Sequence, residues 1–208
     1  ARQIMHNALF VHSGPDRFYE AAYYSGIGQT DWTWAIKSGD YDQDGRPDLY
    51  FTNGAARIFN HSDLPEINHQ TLVGRTHWDH YEKTPEKREQ DLAYQNVGDM
   101  QYKDVSHEWG LNLVGMTHTS SQADLDNDGD LDIVIASLQE PVFILRNDQV
   151  NPDGSPIKRS SIRVKLMGTK SNSYGIGAVV RIKTSAGEQF RLIQSSLSLI
   201  HISEPTRL

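Results

Sequence analysis

Two stretches, Asp40-Tyr-Asp-Gln-Asp-Gly-Arg-Pro-Asp48 and Asp124-Leu-Asp-Asn-Asp-Gly-Asp-Leu-Asp132, share one pattern, D-x-D-x-D-G-x-x-D. Carboxylates at its first, third and fifth positions can converge on one point when the loop curls. The glycine at the sixth position tolerates the backbone conformation of the sharp turn that this requires. Calcium is a hard cation that takes about six to eight oxygen ligands. The pattern therefore predicts a calcium ion, Ca²⁺, in each loop, two sites in all.

Each predicted site combines four carboxylates with one peptide carbonyl from the seventh position. Two like charges about 4 Å apart repel by on the order of 4 kcal/mol at an effective dielectric constant near 20. Four crowded carboxylates therefore favour a bound cation over the alternative, a turn built from Asp and Gly alone. The predicted side-chain ligands are Asp40, Asp42, Asp44 and Asp48 in the first loop and Asp124, Asp126, Asp128 and Asp132 in the second, with the backbone carbonyls of Arg46 and Asp130.

The loops differ from the helix-flanked calcium loop, which needs a bidentate Glu at its twelfth position. That position holds Phe51 in one loop and Ile135 in the other, and both lie in apolar, strand-like stretches. We therefore expect structural sites rather than switches. Weak sites, with dissociation constants of about 10⁻⁴–10⁻³ M, fill outside cells. The loops thus predict a secreted or cell-surface protein.

The loops belong to an internal repeat at an offset of 84 residues. Beyond the loops, Phe10 matches Tyr94 and Gly14 matches Gly98. Each copy reads as about four short strands, which is typical of a β-propeller blade. The predicted strands are Ala8–His12, Arg17–Ala21, Leu49–Thr52 and Ala56–Asn60 in the first copy, and Leu92–Gln95, Gln101–Val105, Leu131–Ala136 and Pro141–Arg146 in the second.

An offset of 84 residues is long for a blade, for which about 40–50 residues is usual. The excess lies in His61–Gln90, a polar and charged segment. We expect residues 61–90 to be an inserted loop, with a short helix over Glu82–Leu92. The first blade then covers 1–60 and the second covers 91–150.

The sequence around the loops resembles a known family. The succession N-x-L-F, F-x-E/D-V, G-[IL] and D-x-D-x-D-G-x-x-D-[LI]-x-[VF] resembles the FG-GAP/VCBS repeats of integrin-like propellers. The stretch 161–182, with G-T-K-S-N-S-Y-G-I-G-A at 168–178, resembles the opening of the ASPIC/UnbV domain. Together they resemble the cartilage acidic protein family, which is abundant in bacteria. The literal Phe-Gly and Gly-Ala-Pro signatures of the repeats are absent from both copies.

The resemblance implies a mainly β fold: a partial β-propeller of about two blades, followed by a truncated, β-rich ASPIC/UnbV domain over 158–194. It also implies a secreted or surface-bound protein with calcium in the blade loops at the eight aspartates named above. Within the second domain we expect Asn172–Gly177 to form a turn between the strands Ile162–Met167 and Ala178–Lys183. The segment 195–208 resembles translated sequencing-adapter sequence, and we expect it to be a non-native tail.

Charge and composition exclude several classes of function. Residues 1–157 hold 25 Asp/Glu against 11 Lys/Arg, whereas residues 158–208 hold 2 against 9, and the formal net charge is −7. The acidic part disfavours nucleic acid as a partner and favours cations. No apolar run approaches the roughly 18 residues of a membrane span. The chain has no cysteine, and it begins at Ala1 without a signal-like segment, so we expect any export signal to lie upstream.

Two motifs of hydrolases, G-x-S-x-G and H-E-x-x-H, are absent from the sequence. The leading hypothesis is a calcium-stabilised extracellular binding or adhesion module, with an extracellular protein or a glycan as its ligand and no catalysis in this segment. One alternative is an accessory propeller of a calcium-dependent secreted enzyme whose chemistry lies outside this fragment. Another is a purely structural module. Trp32 and Trp34 could stack on a sugar, although burial between blades is the interpretation we favour, and His77 and His80 match no zinc pattern.

Overall fold

The computed structural model describes residues 5–58, 73–74, 76–150, 155, 162, 164–170, 172–184 and 187–193. Over these residues the protein is mainly β, as the sequence predicts, with one five-residue helix. The elements are β1 (Phe10–Gly14), β2 (Arg17–Glu20), β3 (Thr33–Gly39), β4 (Asp48–Asn53), α1 (His77–Tyr81), β5 (Glu89–Gln90), β6 (Leu92–Gly98), β7 (Gln101–Asp104), β8 (Val114–Gly115), β9 (Thr117–Ala123), β10 (Asp132–Ser137), β11 (Phe143–Leu145), β12 (Val179–Thr184) and β13 (Gly187–Leu192).

The largest sheet is antiparallel, with the strand order β3-β4-β6-β7. Its second strand, β4, carries the apolar run that buries Tyr50 and Phe51 almost completely. Burying one such side chain contributes about 1.5–3 kcal/mol to the free energy that stabilises the folded state. Because β4 pairs with β6, the sheet joins strands from either side of the polar segment 61–90. The strands of 1–60 are accordingly divided between this sheet and a separate β1-β2 hairpin.

A second antiparallel sheet has the order β11-β10-β9. Its middle strand, β10, buries Ile133 and Ile135. The strands β9 and β10 follow β3 and β4 at the same offset of 84 residues as the two Asp-rich loops. The two sheets therefore begin with equivalent strand–loop–strand units.

The described residues contain two apolar clusters, and one of them connects these two sheets. It combines side chains from both sheets with side chains from the adjoining loops, namely Tyr41, Tyr50, Ala93, Val105, Leu111, Ile133 and Ile135. The first strands, β3 and β9, also approach each other closely. A side chain at Gly39 would come within 2.9 Å of Leu131 and within 3.0 Å of Gln122, so only glycine fits there without a shift of these side chains. This packing fixes the two Asp-rich loops relative to each other.

Most of the predicted strands are present within a few residues, but three predictions are wrong. Glu82–Leu92 forms no helix; the helix is α1, whose first turn is capped by Thr76, and the following chain turns into β5. Residues 56–58, the described part of the strand predicted at Ala56–Asn60, form no strand. The described residues of Ile162–Met167 form none either.

The strands β3 and β9 are absent from the sequence-based predictions. Their sequences, Thr-Trp-Ala-Ile-Lys-Ser-Gly and Thr-His-Thr-Ser-Ser-Gln-Ala, are polar or mixed and lack a clear apolar alternation. Both are placed by their pairing with the apolar β4 and β10. Tertiary context therefore overrides a weak local signal.

The C-terminal part contains the antiparallel hairpin β12-β13. The predicted turn before it is confirmed: the Asn172 side chain accepts from the Ile176 N–H at 2.6 Å and donates to the Ile176 carbonyl at 3.0 Å. The expected tail at 195–208 lies outside the described residues. Within the residues that are described, the sheets do not close into a ring, and no helix is long and apolar enough to cross a membrane.

Candidate metal centre

The two Asp-rich loops follow the same backbone path. One connects β3 to β4 and the other connects β9 to β10. Both place the fourth and sixth residues of the pattern in the left-handed region: Gln43 (φ 55°) and Gly45 (φ 93°) in one, Asn127 (φ 69°) and Gly129 (φ 107°) in the other. This conformation favours glycine and is tolerated by amide side chains. The pattern D-x-D-x-D-G-x-x-D thus encodes one specific turn twice.

Peptide N–H groups hold the carboxylates of the first loop. Gly45 N donates to Asp40 Oδ2 at 3.1 Å, and Asp44 N donates to Asp42 Oδ1 at 3.1 Å. Arg46 N donates to Asp44 Oδ1 at 2.8 Å. These hydrogen bonds curl the chain around its own acidic side chains and hold Asp40 and Asp42 on the inside of the turn.

The second loop repeats these bonds at the equivalent positions. Gly129 N donates to Asp124 Oδ2 at 2.9 Å, Asp128 N to Asp126 Oδ1 at 3.3 Å, and Asp130 N to Asp128 Oδ1 at 3.2 Å. Hydrogen bonds to a carboxylate favour its charged form. Peptide N–H groups therefore compensate part of the crowding that the sequence analysis attributed to a cation alone.

Carboxylate oxygens converge in both loops. One oxygen each from Asp40, Asp42 and Asp48 lie within 4.8 Å of one another, and so do oxygens from Asp124, Asp126 and Asp128, although the first group uses the last aspartate of the pattern and the second uses the fifth position instead. Two ligands of one calcium ion, each at about 2.3–2.6 Å, can lie up to about 5 Å apart. The donor chemistry and the spacing in both loops therefore fit calcium.

Each group contains three of the four predicted carboxylates. Asp44 lies outside the first group and forms an ion pair with Arg46 instead. Asp132 lies outside the second group and is fully buried. The carbonyl ligands predicted at Arg46 and Asp130 stay predictions.

Remote residues also reach the first loop. Gln95 Nε2 in β6 donates to Asp42 Oδ2 at 2.6 Å, and Arg191 in β13 contacts Asp40 Oδ2 at 3.0 Å. Neither contact carries a signal in the sequence, because both residues lie in strands far along the chain from the loop. The tertiary arrangement of β6 and β13 brings both residues to the loop.

The side chain of Asp130 was not among the ligands predicted from the sequence, but it is unusual among the carboxylates of the second loop. Its side-chain Oδ1 is buried and has no hydrogen-bond donor, although only its carbonyl was predicted to matter. Burial, followed by the negative charge of Asp128, raises the pKa of Asp130 to about 7. The sequence does distinguish the two loops at this position: the second loop has a fifth aspartate, Asp130, where the first loop has Arg46. The second loop is therefore the more strongly anionic of the two.

Burial also shifts the carboxylates of the first loop. It raises the pKa of Asp40, against the lowering effects of the Gly45 N–H and of Arg191. It raises the pKa of Asp48 to about 7, against hydrogen bonds from Asn96 N and Tyr41 N. Both groups therefore bear an electrostatic cost in their charged form that a cation would relieve.

Among the remaining candidates, Trp34 is a described residue and its ring packs within the protein. The Trp34 ring packs at 4.4 Å from the His118 ring, and its Nε1–H donates to the Gly54 carbonyl. Trp32 is half-buried, but Trp34 is 38% exposed, so the burial expected for Trp34 is not observed. The side chains of His77 and His80 lie outside the described residues.

Comparisons with known proteins leave the chain without an assigned family. No protein-family model matches it, and no curated protein matches it.

Proposed function

We propose that this chain is a calcium-stabilised extracellular binding or adhesion module that is not catalytic in this segment. The observation that carries the proposal is the convergence of three carboxylate oxygens within 4.8 Å in each of two loops with the same backbone path. A single acidic turn is common on protein surfaces. Two turns with matching left-handed residues and matching hydrogen bonds favour a shared ligand.

The first loop would hold calcium through Asp40, Asp42 and Asp48, and the second through Asp124, Asp126 and Asp128. When bound, calcium would neutralise the converging carboxylates, and in the first loop, where Asp40 and Asp48 both belong to the group, it would tie the two ends of the loop together. The chain's own contribution is to preorganise the oxygens, because the peptide N–H groups already hold the side chains in place. The ion would then act as a staple between neighbouring strands.

The position of the loops supports a structural role for the metal. Both loops lie at the same end of paired first and second strands, and Gln43 Nε2 of one donates to the Gly129 carbonyl of the other at 3.0 Å. Stabilising the loops therefore stabilises the contact between the two sheets. The rest of the surface stays available for a protein or glycan ligand.

The assignment of the two sheets to propeller blades is part of the same proposal. We infer that the four-stranded sheet β3-β4-β6-β7 is one blade of a partial propeller and that β9-β10-β11 belongs to the next. The antiparallel order and the packing of β3 beside β9 support this, as does the sequence resemblance to FG-GAP/VCBS repeats and the ASPIC/UnbV domain. An extracellular location follows from weak calcium sites, which millimolar calcium outside cells would fill.

Calorimetric titration of calcium into the full chain tests the proposal. We expect two binding events in the intact protein and one in Asp124→Ala/Asp126→Ala. Glu108→Ala is a matched control, because Glu108 is an exposed acid that lies outside both loops and pairs with Lys103. Equal heats of binding from the intact chain and the double variant would show that the second loop does not bind calcium. No heat of binding from either protein would contradict the proposal as a whole.

Binding to a glycan array or to immobilised extracellular-matrix proteins separates the binding module from a purely structural one. We expect retention that chelator abolishes, because the loops maintain the packing of the sheets. The double variant should bind more weakly and the Glu108→Ala control should bind normally. If a variant lost calcium binding but was retained as strongly as the intact chain, ligand binding would not depend on calcium in the loops.

A further inference from the structure

Arg191 places a positive charge on the first loop. Its guanidinium contacts Asp40 Oδ2 at 3.0 Å, and the two side chains are only 19% and 15% exposed. An ion pair with so little exposure is weakly screened by water and salt. Asp40 is the first residue of the Asp-rich pattern and belongs to the converging oxygens of the loop. The loop therefore already contains a cation supplied by the chain.

The contact involves more of the β12-β13 hairpin than one side chain. Gln189 precedes Arg191 by two residues, so both lie on the same face of β13. The Gln189 side-chain amide lies against Gly45, where it leaves no room for a Cβ atom. The hairpin is thus seated on the turn of the loop as well as on its first carboxylate.

The two loops differ in the charged side chains that surround them. The first has a second cation, Arg46, whose guanidinium pairs with Asp44. The second has Asp130 at the equivalent position. The chain thus supplies cations to the first loop and an additional anion to the second.

We propose that Arg191 competes with calcium for the first loop, so that calcium binding there and seating of the β12-β13 hairpin oppose each other. The inference rests on the proposed function, since it assumes that the loop binds calcium. A guanidinium and a divalent ion that share the Asp40 carboxylate repel each other because both are cationic. Linkage makes the effect reciprocal: if the hairpin weakens calcium binding, calcium weakens the hairpin contact by the same factor.

The calcium affinity of the first loop gives the first test. In the full chain carrying Asp124→Ala/Asp126→Ala, the first loop is the one left to titrate. We expect Arg191→Gln in this background to bind calcium about tenfold more tightly, which is within the usual range for coupled sites. The matched control is Arg181→Gln, because Arg181 lies on the neighbouring strand, is 63% exposed and pairs with Glu188.

Hydrogen exchange of residues 187–193 gives the second readout. With intact Arg191, calcium should raise the exchange of this segment, and with Arg191→Gln exchange should be high with or without calcium. A purely structural role for Arg191 would raise exchange but would not raise calcium affinity. Circular dichroism of each variant verifies that the sheets are retained.

The outcomes separate the two proposals. Unchanged or weaker calcium binding by Arg191→Gln would overturn the competition and make Arg191 a neutral or supporting neighbour of Asp40. Calcium-independent exchange of 187–193 in the intact chain would overturn it as well. If the intact chain and every variant fail to bind calcium, the proposed function falls and this inference falls with it.

Discussion

Asp48 and Asp132 occupy the same position in the two loops, and each ties its loop to a later part of the chain: Asp48 to β6, and Asp132 to the segment that follows β11. Asp48 accepts from Tyr41 N at 3.0 Å and from Asn96 N at 2.9 Å. Asp132 accepts from Leu125 N at 2.8 Å and from Asn147 N at 2.9 Å. Both carboxylates are almost fully inaccessible to solvent. The last aspartate of the pattern therefore has an architectural role whether or not metal is present.

Replacing Asp48 should destabilise the protein even without calcium. Asp48→Ala leaves two peptide N–H groups unpaired in a buried position, and each such loss costs about 1–3 kcal/mol. We expect a decrease of about 3 kcal/mol in the free energy of unfolding, measured by urea denaturation in the presence of chelator. Asp42→Ala is the control, since Asp42 accepts from Asp44 N on the loop and from Gln95. Equal losses from both variants would contradict the architectural role.

Stability should fall as pH rises through about 6 because of Asp91. This carboxylate is fully buried and accepts from Tyr50 Oη at 2.9 Å and Asn53 N at 2.8 Å. Burial raises its pKa from 3.8 to about 6 despite these hydrogen bonds. The folded state thus binds the proton more tightly than the unfolded state, and the associated stability is complete below pH 3.8 and is lost as pH rises through 6.

The variant Asp91→Asn isolates this contribution, because an amide resembles the protonated acid. Without calcium, the difference in unfolding free energy between the variant and the intact protein should change by up to about 3 kcal/mol between pH 4 and pH 7. The intact protein should lose stability relative to the variant as pH rises. A difference that stays constant over this range would show that Asp91 titrates normally. Glu108→Gln serves as an exposed control.

Neutralising Asp130 should have opposite effects with and without metal. Its buried Oδ1 lacks a donor and its carboxylate lies beside that of Asp128. After allowance for solvent screening, Asp130→Asn should stabilise the calcium-free protein by about 1 kcal/mol. It should also weaken calcium binding by the second loop, because one negative charge is lost. Thermal melting with chelator measures the effect on stability, and calorimetric titration measures the effect on calcium affinity. If the variant and the intact chain have the same melting temperature and the same calcium affinity, the prediction is wrong.

Alanine at Gly45 should loosen the β12-β13 hairpin, whereas alanine at Gly98 should not. The two glycines have nearly the same dihedral angle, φ 93° and φ 92°, so the backbone strain of about 1 kcal/mol is common to both. A Cβ atom at Gly45 would meet the end of the Gln189 side chain, but at Gly98 it would meet nothing within 4 Å. We expect similar losses of stability but faster hydrogen exchange of residues 187–193 in Gly45→Ala alone. Equal exchange in both variants would show that Gln189 adapts without moving the strand.

Chelation should lower the melting temperature of the intact protein. At a calcium concentration ten times the dissociation constant, each occupied site adds about 1.4 kcal/mol to stability. The full chain should therefore melt at a higher temperature in excess calcium than in chelator, and Asp124→Ala/Asp126→Ala should show about half of that difference in free energy. Magnesium serves as the control ion, because it requires a more rigid octahedral shell and retains its water more strongly. A melting temperature that is insensitive to calcium would contradict both predicted sites.

The sequence by itself determined the parts that depend on local conformation. The spacing of Asp and Gly determined the two turns, since the left-handed residues and the N–H to carboxylate bonds lie within each loop. Apolar runs predicted β4 and β10, and the turn at Asn172–Gly177 was predicted as well. All of these follow from interactions between residues close together in the chain.

Only the tertiary structure decided the rest. The polar strands β3 and β9, the pairing of β4 with β6 across residues 61–90, and the contacts of Gln95 and Arg191 with the first loop all join distant parts of the chain. Their physical cause is the burial of β4 and β10, which brings polar neighbours into register whatever their own propensity. A local pattern encodes the path of a loop, but the charges that surround it depend on which strands pack beside it.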